Sequence, residues 1–393
     1  MSEIISDYHK SLELLEKCST PHGFVASAED ISNYKRVWTR DGVICGLAAL
    51  ASGKGSLIST FRNTLETLAA SRHDVGFMPS NVYYNDGKPV VSYGGLAGRV
   101  DAVTWFVIGV CQYAHLTGER QFFFRHKAAL QKCLGVLEAW EFNGRHLVYV
   151  PLAGNWADEY ITDGYVLYDQ LLRYWALSNY YHFEPSETLA LKIQQVKRQI
   201  EVNYTPTEKG EKYHEKAYAE ADIQNFMPCS FSPAGYKKPF DALANSLAVF
   251  LGVGTISFQR KILKYAISKQ NELPLKLIPA FWPPIREWDK EWQLLVNNCK
   301  YEFRNHPYEF HNAGTWPMVN GFYGLALLAH NMSDQATGLL AAINEANRKK
   351  DYGFYENFNT QSTVPNGVQY CAWSAAGAVL LHQSLHADFK LLI

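Results

Sequence analysis

Six stretches of the chain are apolar on nearly every helical face, and each is entered from a short polar loop rich in Trp, Tyr, Asp, Glu and Asn. They begin near Asp41 (DGVICGLAALAS), Asp101 (DAVTWFVIGVCQYAHLTG), Tyr165 (YVLYDQLLRYWALSNYYH), Phe240 (FDALANSLAVFLGVG), Gly314 (GTWPMVNGFYGLALLAHN) and Cys371 (CAWSAAGAVLLHQSLH). Their starts recur roughly every 55 to 75 residues, room for a helical hairpin plus a long loop. Between them lie helices of another kind: Ser2 to Cys18, Ser56 to Arg72, Arg120 to Trp140, Pro185 to Tyr204, Phe258 to Gln270 and Ser333 to Lys350. These carry apolar residues three and four apart, with Lys, Arg, Glu and Gln elsewhere, and so predict one-sided surface helices.

A helix apolar on all faces must be buried on all faces. Alternating buried and one-sided helices therefore predict an inner ring wrapped by an outer one, an all-α (α/α)6 toroid with a single polar rim. Gly53 and Gly118 stand where helix C-caps belong and Ser56 where an N-cap does. A helical solenoid is the alternative, but solenoid repeats are shorter and more uniform. No Pro/Ser-rich linker, charge run or low-complexity stretch divides the 393 residues, so one catalytic domain over 1–393 is the expectation.

Composition narrows the partners. Net charge is −1 and the basic residues are scattered, which argues against nucleic acid. Aromatic residues make up 14% of the chain and many fall in the loops, where flat faces beside carboxylates and amides suit sugars. The seven cysteines have no paired spacing and several lie in apolar helices, as in a reduced cytoplasmic protein. The N-terminus resembles neither a signal peptide nor a membrane anchor, and no uninterrupted apolar run reaches bilayer length. The rim loops hold no Cys-x-x-Cys, no Asp-rich calcium loop and no phosphate-cradling glycine loop, so no metal, cofactor or nucleotide is expected.

Cleavage of a glycosidic bond needs one carboxyl to protonate the leaving oxygen and a second, facing it, to activate water or attack the anomeric carbon. The rim offers Asp41, Asp101, Asp158, Glu159, Asp169, Asp241, Glu309 and Glu356. Spacing does not choose among them, and Asp41, Asp101 and Asp241, directly at helix starts, suit N-capping equally well.

Several ordered segments resemble a known family. YKRVWTRD (34–41), GRVDAVTW (98–105), FMPCSFSPAGYKKPFDALAN (226–245), FWPPIREWDKE (281–291) and HNAGTWP (311–317) look like the neutral/alkaline invertases. They are also similar, less closely, to the glucosidase domain of glycogen debranching enzymes and to processing α-glucosidases. The resemblance implies an inverting glycoside hydrolase. NWADEY matches the loop of the general acid, at Asp158. FYENFN, followed by AWSAAG, matches the loop of the general base, at Glu356, with Trp373 and Ser374 opening the next helix. The matching Trp-x-Arg-Asp loop implicates Trp38, Arg40 and Asp41 in holding the glycosyl ring. Arg99, Asp101, Trp156, Gln170, His311, Asn312 and Trp316 are further candidate substrate contacts, while Glu159 and Glu309 are rivals to the two catalytic carboxyls. The apolar neighbours Trp156, Ala157, Tyr160 and Ile161 are expected to desolvate Asp158 and keep it protonated.

Two departures bear on specificity. Where the family has a Glu two residues before the Gln or Asn, this chain has Tyr168 ahead of Gln170, with Asp169 beside it. Where the invertase pattern has a second glycine, HNAGTWP has Ala313, an added methyl expected to face the sugar. Sucrose or a related small α-glucoside is the first substrate class and an α-1,6-linked branch the second. A sugar isomerase, or a glycan-binding protein without turnover, stands as an alternative; isomerases on such toroids use histidine pairs, and His311 is the one obvious histidine in these loop motifs.

Overall fold

The structure, a computed structural model, describes residues 2–393. After the outer helix α1 (Ser2–Lys17), inner α2 (Thr39–Ser52) is buried at every residue from Thr39 to Leu50, since Val43, Ile44, Leu47 and their small neighbours leave it no polar face. It stops where Gly53 takes φ +67° and donates its N–H to the Leu50 carbonyl, a left-handed cap that a residue without Cβ adopts freely. Outer α3 (Gly55–Ala70) returns along the outside and buries one stripe through Leu57, Phe61, Leu65 and Leu68. The unit repeats as α4 (Val100–Leu116) with α5 (Arg120–Ala139), and as α6 (Leu167–Phe183) with α7 (Glu187–Tyr204). A short rim helix, α8 (Glu215–Ala221), precedes inner α9 (Ala242–Phe250) and outer α10 (Ile256–Glu272). Another, α11 (Trp292–Asn298), precedes inner α12 (Pro317–Ala329) and outer α13 (Ser333–Tyr352), and inner α14 (Ala372–His386) completes the set.

The inner helices contact one another in the order α2, α4, α6, α9, α12, α14, and α14 packs back on α2. That last contact closes a ring, which a solenoid does not form. α12 and α14 approach so closely that a Cβ built on Gly321 would stand 2.5 Å from Gly377 Cα. The core is continuous around the ring, with Trp105 and Trp175 edge to face at 5.9 Å.

The all-α expectation fails at the rim. β1 (Ser19–Thr20) pairs with β2 (Gly23–Phe24), and β3 (Val37–Trp38) heads a three-stranded antiparallel sheet with β4 (Asn81–Asn85) and β5 (Lys88–Ser92). β6 (Tyr165–Val166), β7 (Pro228–Ser232), β8 (Gly235–Asp241) and β9 (Phe281–Trp282) form a four-stranded sheet over the starts of α6 and α9, and β10 (Asn357–Phe358) pairs with β11 (Pro365–Asn366). Long rim loops carry many backbone N–H and C=O groups, and pairing between neighbouring loops satisfies them.

The end opposite the rim is sealed by the C-terminal segment. The Leu392 carbonyl accepts from Gln112 Nε2 at 2.7 Å, Trp175 Nε1 at 2.7 Å and Asn179 Nδ2 at 3.1 Å. At the same end a His-x-x-x-His spacing, His382 and His386, lies along the last turns of α14, where His382 stacks on Tyr8. No group of three or more His, Cys, Asp or Glu side chains gathers as a metal site among the described residues, and no helix there is long and apolar enough to cross a membrane. All seven cysteines are unpaired thiols, six of them buried.

Candidate active site

Glu356 is delivered by an unusual backbone path. Lys350, Asp351, Tyr352 and Phe354, none of them glycine, all take positive φ between 41° and 55° where α13 breaks down. Backbone held in this sparsely populated region is found where a site fixes the chain more strongly than local preference does. Glu356 N–H then donates to the Val368 carbonyl at 2.9 Å, and β10–β11 lock the turn. The carboxyl is buried, with Oε1 accepting from Tyr34 Oη at 2.8 Å. Burial pushes its pKa up to about 7, against the opposing pull of the Tyr34 hydrogen bond and the Arg304 charge. Gly367, at φ +74°, makes this possible, because a Cβ there would collide with Glu356 Oε2.

Asp158 comes from the loop before α6. Asn155 pins that loop, its Nδ2 donating to Asp169 Oδ2 on α6 at 2.9 Å and its Oδ1 accepting from Ala157 N at 3.0 Å. Asp158 does not sit in the dry surroundings expected from its apolar neighbours. Its side chain is 27% exposed and Oδ2 accepts from Arg99 Nη2 at 2.8 Å, while Tyr160 stacks inward on Phe281. Glu159 shares the same face and is ion-paired to Arg304; burial raises its pKa, with Arg304 opposing.

Asp158 and Glu356 both line one cavity of about 640 Å³. Trp38, Arg40, Asp41, Arg99, Trp156, His311, Trp316 and Trp373 line it as well, so ten of the thirteen candidates meet there. Along the cavity floor, Arg40 Nη1 reaches Asp101 Oδ2 at 2.9 Å and its Nε lies 3.8 Å from Asp41 Oδ2. Neither Asp41 nor Asp101 caps its helix through its side chain, whereas Asp241 does, accepting from Ala244 N at 3.0 Å. Burial pushes Asp41 up to about 6. His311 stacks on Trp316 at 5.1 Å, and burial with the nearby Arg304 and Arg40 charges holds its pKa well below the ordinary value, so the ring is neutral. Asp41 Oδ2, Trp156 Nε1, His311 Nδ1 and Trp373 Nε1 are buried and accept or donate no hydrogen bond within the protein.

Three candidates stand away from the cavity. Asp101 lies behind Arg40, its Oδ2 accepting also from Tyr168 Oη at 3.3 Å. Gln170 is fully buried with its amide committed to the backbone of Val148 and Val166, and Asn312 ties Ile285 and Asn305 together in the same way. The rival Glu309 accepts from Asn359 outside the cavity lining. Ala313 is buried below the loop rather than facing the cavity. Tyr34, Arg304 and Gly367 were not among the candidates; Tyr34 does open the YKRVWTRD segment, which was the available signal.

Comparison with known proteins fits this geometry. Residues 222–388 match the family model described as alkaline and neutral invertase, a stretch that includes His311, Trp316, Glu356 and Trp373. No curated protein matches the chain in sequence. Among solved structures, a GH63 mannosylglycerate hydrolase from Thermus thermophilus in complex with glucose is 13% identical with a TM-score of 0.68, covering 95% of this chain and 99% of that one. A bacterial glucoamylase complexed with acarbose is 17% identical with a TM-score of 0.66, covering 98% of this chain and 56% of the other. A rhamnosidase from Klebsiella oxytoca with rhamnose bound is 14% identical with a TM-score of 0.64, over 98% and 64%. The chain thus has the (α/α)6 fold of these glycoside hydrolase structures, and its residues 222–388 are similar to the alkaline and neutral invertases.

Proposed function

We propose that the chain hydrolyses the α-glucosidic bond of sucrose or a related small α-glucoside, with inversion at the anomeric carbon. The observation that carries this reading is one cavity whose lining brings together Asp158 and Glu356 from separate loops, along with buried polar groups that find no hydrogen-bond partner within the protein. Buried donors and acceptors without partners are costly, and a polyhydroxylated ring is the kind of ligand that supplies partners to all of them. Aromatic faces from Trp38, Trp316 and Trp373 suit its apolar faces.

In the proposed reaction Glu356 takes a proton from water as the water oxygen bonds to the anomeric carbon. Asp158 gives its proton to the departing oxygen, which leaves with the electron pair of the broken bond. A base with a pKa of about 7 is matched to work at neutral and alkaline pH. Arg40 and Asp41 present donors and an acceptor suited to vicinal hydroxyls. Cytoplasmic location is part of this proposal, from the unpaired buried thiols.

A second reading exchanges the two carboxyl roles, since Asp158 is paired with Arg99 while burial favours a proton on Glu356. α-Glucosyl fluoride separates the readings, because its leaving group needs no proton. Asp158→Ala retaining fluoride hydrolysis while Glu356→Ala loses it supports the first assignment; the opposite pattern supports the exchange. Proton NMR of the first-formed anomer tests stereochemistry, with β-glucose expected and α-glucose excluding inversion. If neither sucrose, isomaltose nor the fluoride is turned over, the α-glucosidase reading is lost.

A further inference from the structure

A second rim cavity, of about 760 Å³, adjoins the first. It lies between β5, the loop from Tyr93 to Arg99 and the segment from Trp140 to Pro151. Its character is different. Phe77, Tyr93, Trp140, Phe142 and Tyr149 dominate the walls, and no carboxylate or side-chain amide lines it. Phe77 and Trp140 lie nearly parallel, 11° apart with ring centres at 5.9 Å, which leaves a flat aromatic wall. The Tyr93 hydroxyl is turned away into a hydrogen bond with the Ser71 carbonyl at 3.0 Å. Phe142 in its lining is 76% exposed, an apolar surface that water alone does not favour.

Arg99 is the partition, since it lines both cavities. Its Nη1 donates to the carbonyls of Ala97 at 2.8 Å and Ala153 at 2.6 Å, and its Nη2 to Asp158 at 2.8 Å. The aromatic cavity therefore begins one guanidinium away from the carboxyl that protonates the leaving oxygen in the reading above. A leaving group bonded to that oxygen lies on this side of the site. A sugar there would find no carboxylate or amide for its hydroxyls, whereas a flat apolar group would find stacking surfaces.

We propose that this cavity is the leaving-group subsite and that the substrate is an aryl glycoside. The inference rests on the hydrolase reading with Asp158 as acid, and selects the aglycone within it. Water adds its oxygen to the anomeric carbon and its proton to Glu356. The bond from that carbon to the phenolic oxygen breaks, its electron pair stays on the phenolic oxygen, and the Asp158 proton completes the free phenol.

The test compares 4-methylumbelliferyl α-glucoside, sucrose and α-glucosyl fluoride, and separately titrates free 4-methylumbelliferone into the whole protein by calorimetry. The aryl glucoside is expected to exceed sucrose in kcat/KM by at least tenfold. Phe142→Ala, on an exposed ring whose loss does not disturb the core, should lower the ratio of aryl to fluoride kcat/KM at least tenfold through KM, as should Trp140→Ala. The free phenol should bind wild type with submillimolar Kd and either variant at least tenfold more weakly. Fluoride turnover with an unmoved ratio overturns the aryl subsite and spares the hydrolase. Absence of fluoride turnover removes the hydrolase reading, and the calorimetric titration then still decides the subsite, which a lack of phenol binding overturns.

Discussion

Glu356 is buried as a carboxyl whose charged form the protein disfavours, and both its chemistry and its cost follow from that. Its pKa is about 7 in the folded chain against an ordinary 4.5, so the folded state holds the proton more tightly than the unfolded one. Below pH 4.5 both states are protonated and nothing is lost. Stability then declines as pH rises through the window up to about 7, reaching a full deficit on the order of 3 kcal/mol above it. Glu356→Gln should therefore unfold at a higher temperature than wild type at pH 8 and at nearly the same temperature at pH 4, while hydrolysis is abolished; equal melting at both values would contradict the buried charge. Wild-type activity should fall as pH drops below about 7. Ala313 offers a simpler test. It takes φ +71°, where a Cβ strains the backbone by roughly 1–2 kcal/mol, so Ala313→Gly should stabilise by about 1 kcal/mol after the added flexibility of the unfolded chain is subtracted. Denaturant unfolding reads that difference directly. The carboxyls and the Trp38-Thr39-Arg40-Asp41 loop were legible in the sequence because each sits in a compact motif. Tyr34 was not legible as the partner of Glu356, since 322 positions separate them and only ring closure brings them together.

Among the elements, the twelve ring helices could be read because burial on all faces and burial on one face leave opposite periodicities. The rim strands are mostly two residues long, too short for alternation to register. β4, β5, β7 and β8 are longer, and the first pair carries a turn signal. Asn85-Asp86-Gly87-Lys88 between Val82-Tyr83-Tyr84 and Pro89-Val90-Val91 is a hairpin signal, and Asp86 and Gly87 take φ of 50° and 75° as a tight primed turn requires. Nor did the sequence reveal which glycines mark helix contacts. Gly321 and Gly377 sit where α12 and α14 nearly touch, and a methyl on Gly321 would meet backbone rather than a movable side chain. Helix propensity alone makes Gly321→Ala stabilising by about 1 kcal/mol, but the collision with α14 should win. A net loss of roughly 1–3 kcal/mol in chemical unfolding is expected, together with weakened turnover because Trp373 rides on the first turn of α14. A stabilised Gly321→Ala protein would show that the two helices separate without penalty.

At the scale of the whole molecule, the ring has two ends with different tasks, and the one opposite the rim depends on the last residues of the chain. Gln112, Trp175 and Asn179 are fully buried and all three direct a donor at the Leu392 carbonyl. Gln112 keeps a second partner in Asn179, but the Trp175 indole N–H has no other hydrogen bond within the protein. Ending the chain at Asp388 removes that acceptor and the burial of Leu391. The unmet donors cost roughly 1–3 kcal/mol, softened where water enters, and the lost side chain about 1.5–3 kcal/mol more. The sum is a large part of the stability of an ordinary domain, and spread over the unfolding entropy of a chain this long it corresponds to a drop in Tm of roughly 3–7 °C. Because the partner atom belongs to the backbone, Leu392→Ala removes only the packing of a half-buried side chain and should lower Tm by much less than the truncation, so the contrast between the two variants separates the carbonyl from the side chain. Turnover at a temperature well below either transition should survive in both, since the cleft carrying Asp158 and Glu356 lies at the far end of the inner helices. A truncated chain that melts with wild type would mean that the tail merely covers the ring, while one that keeps its Tm but loses activity would mean that the two ends are coupled through α4 and α6.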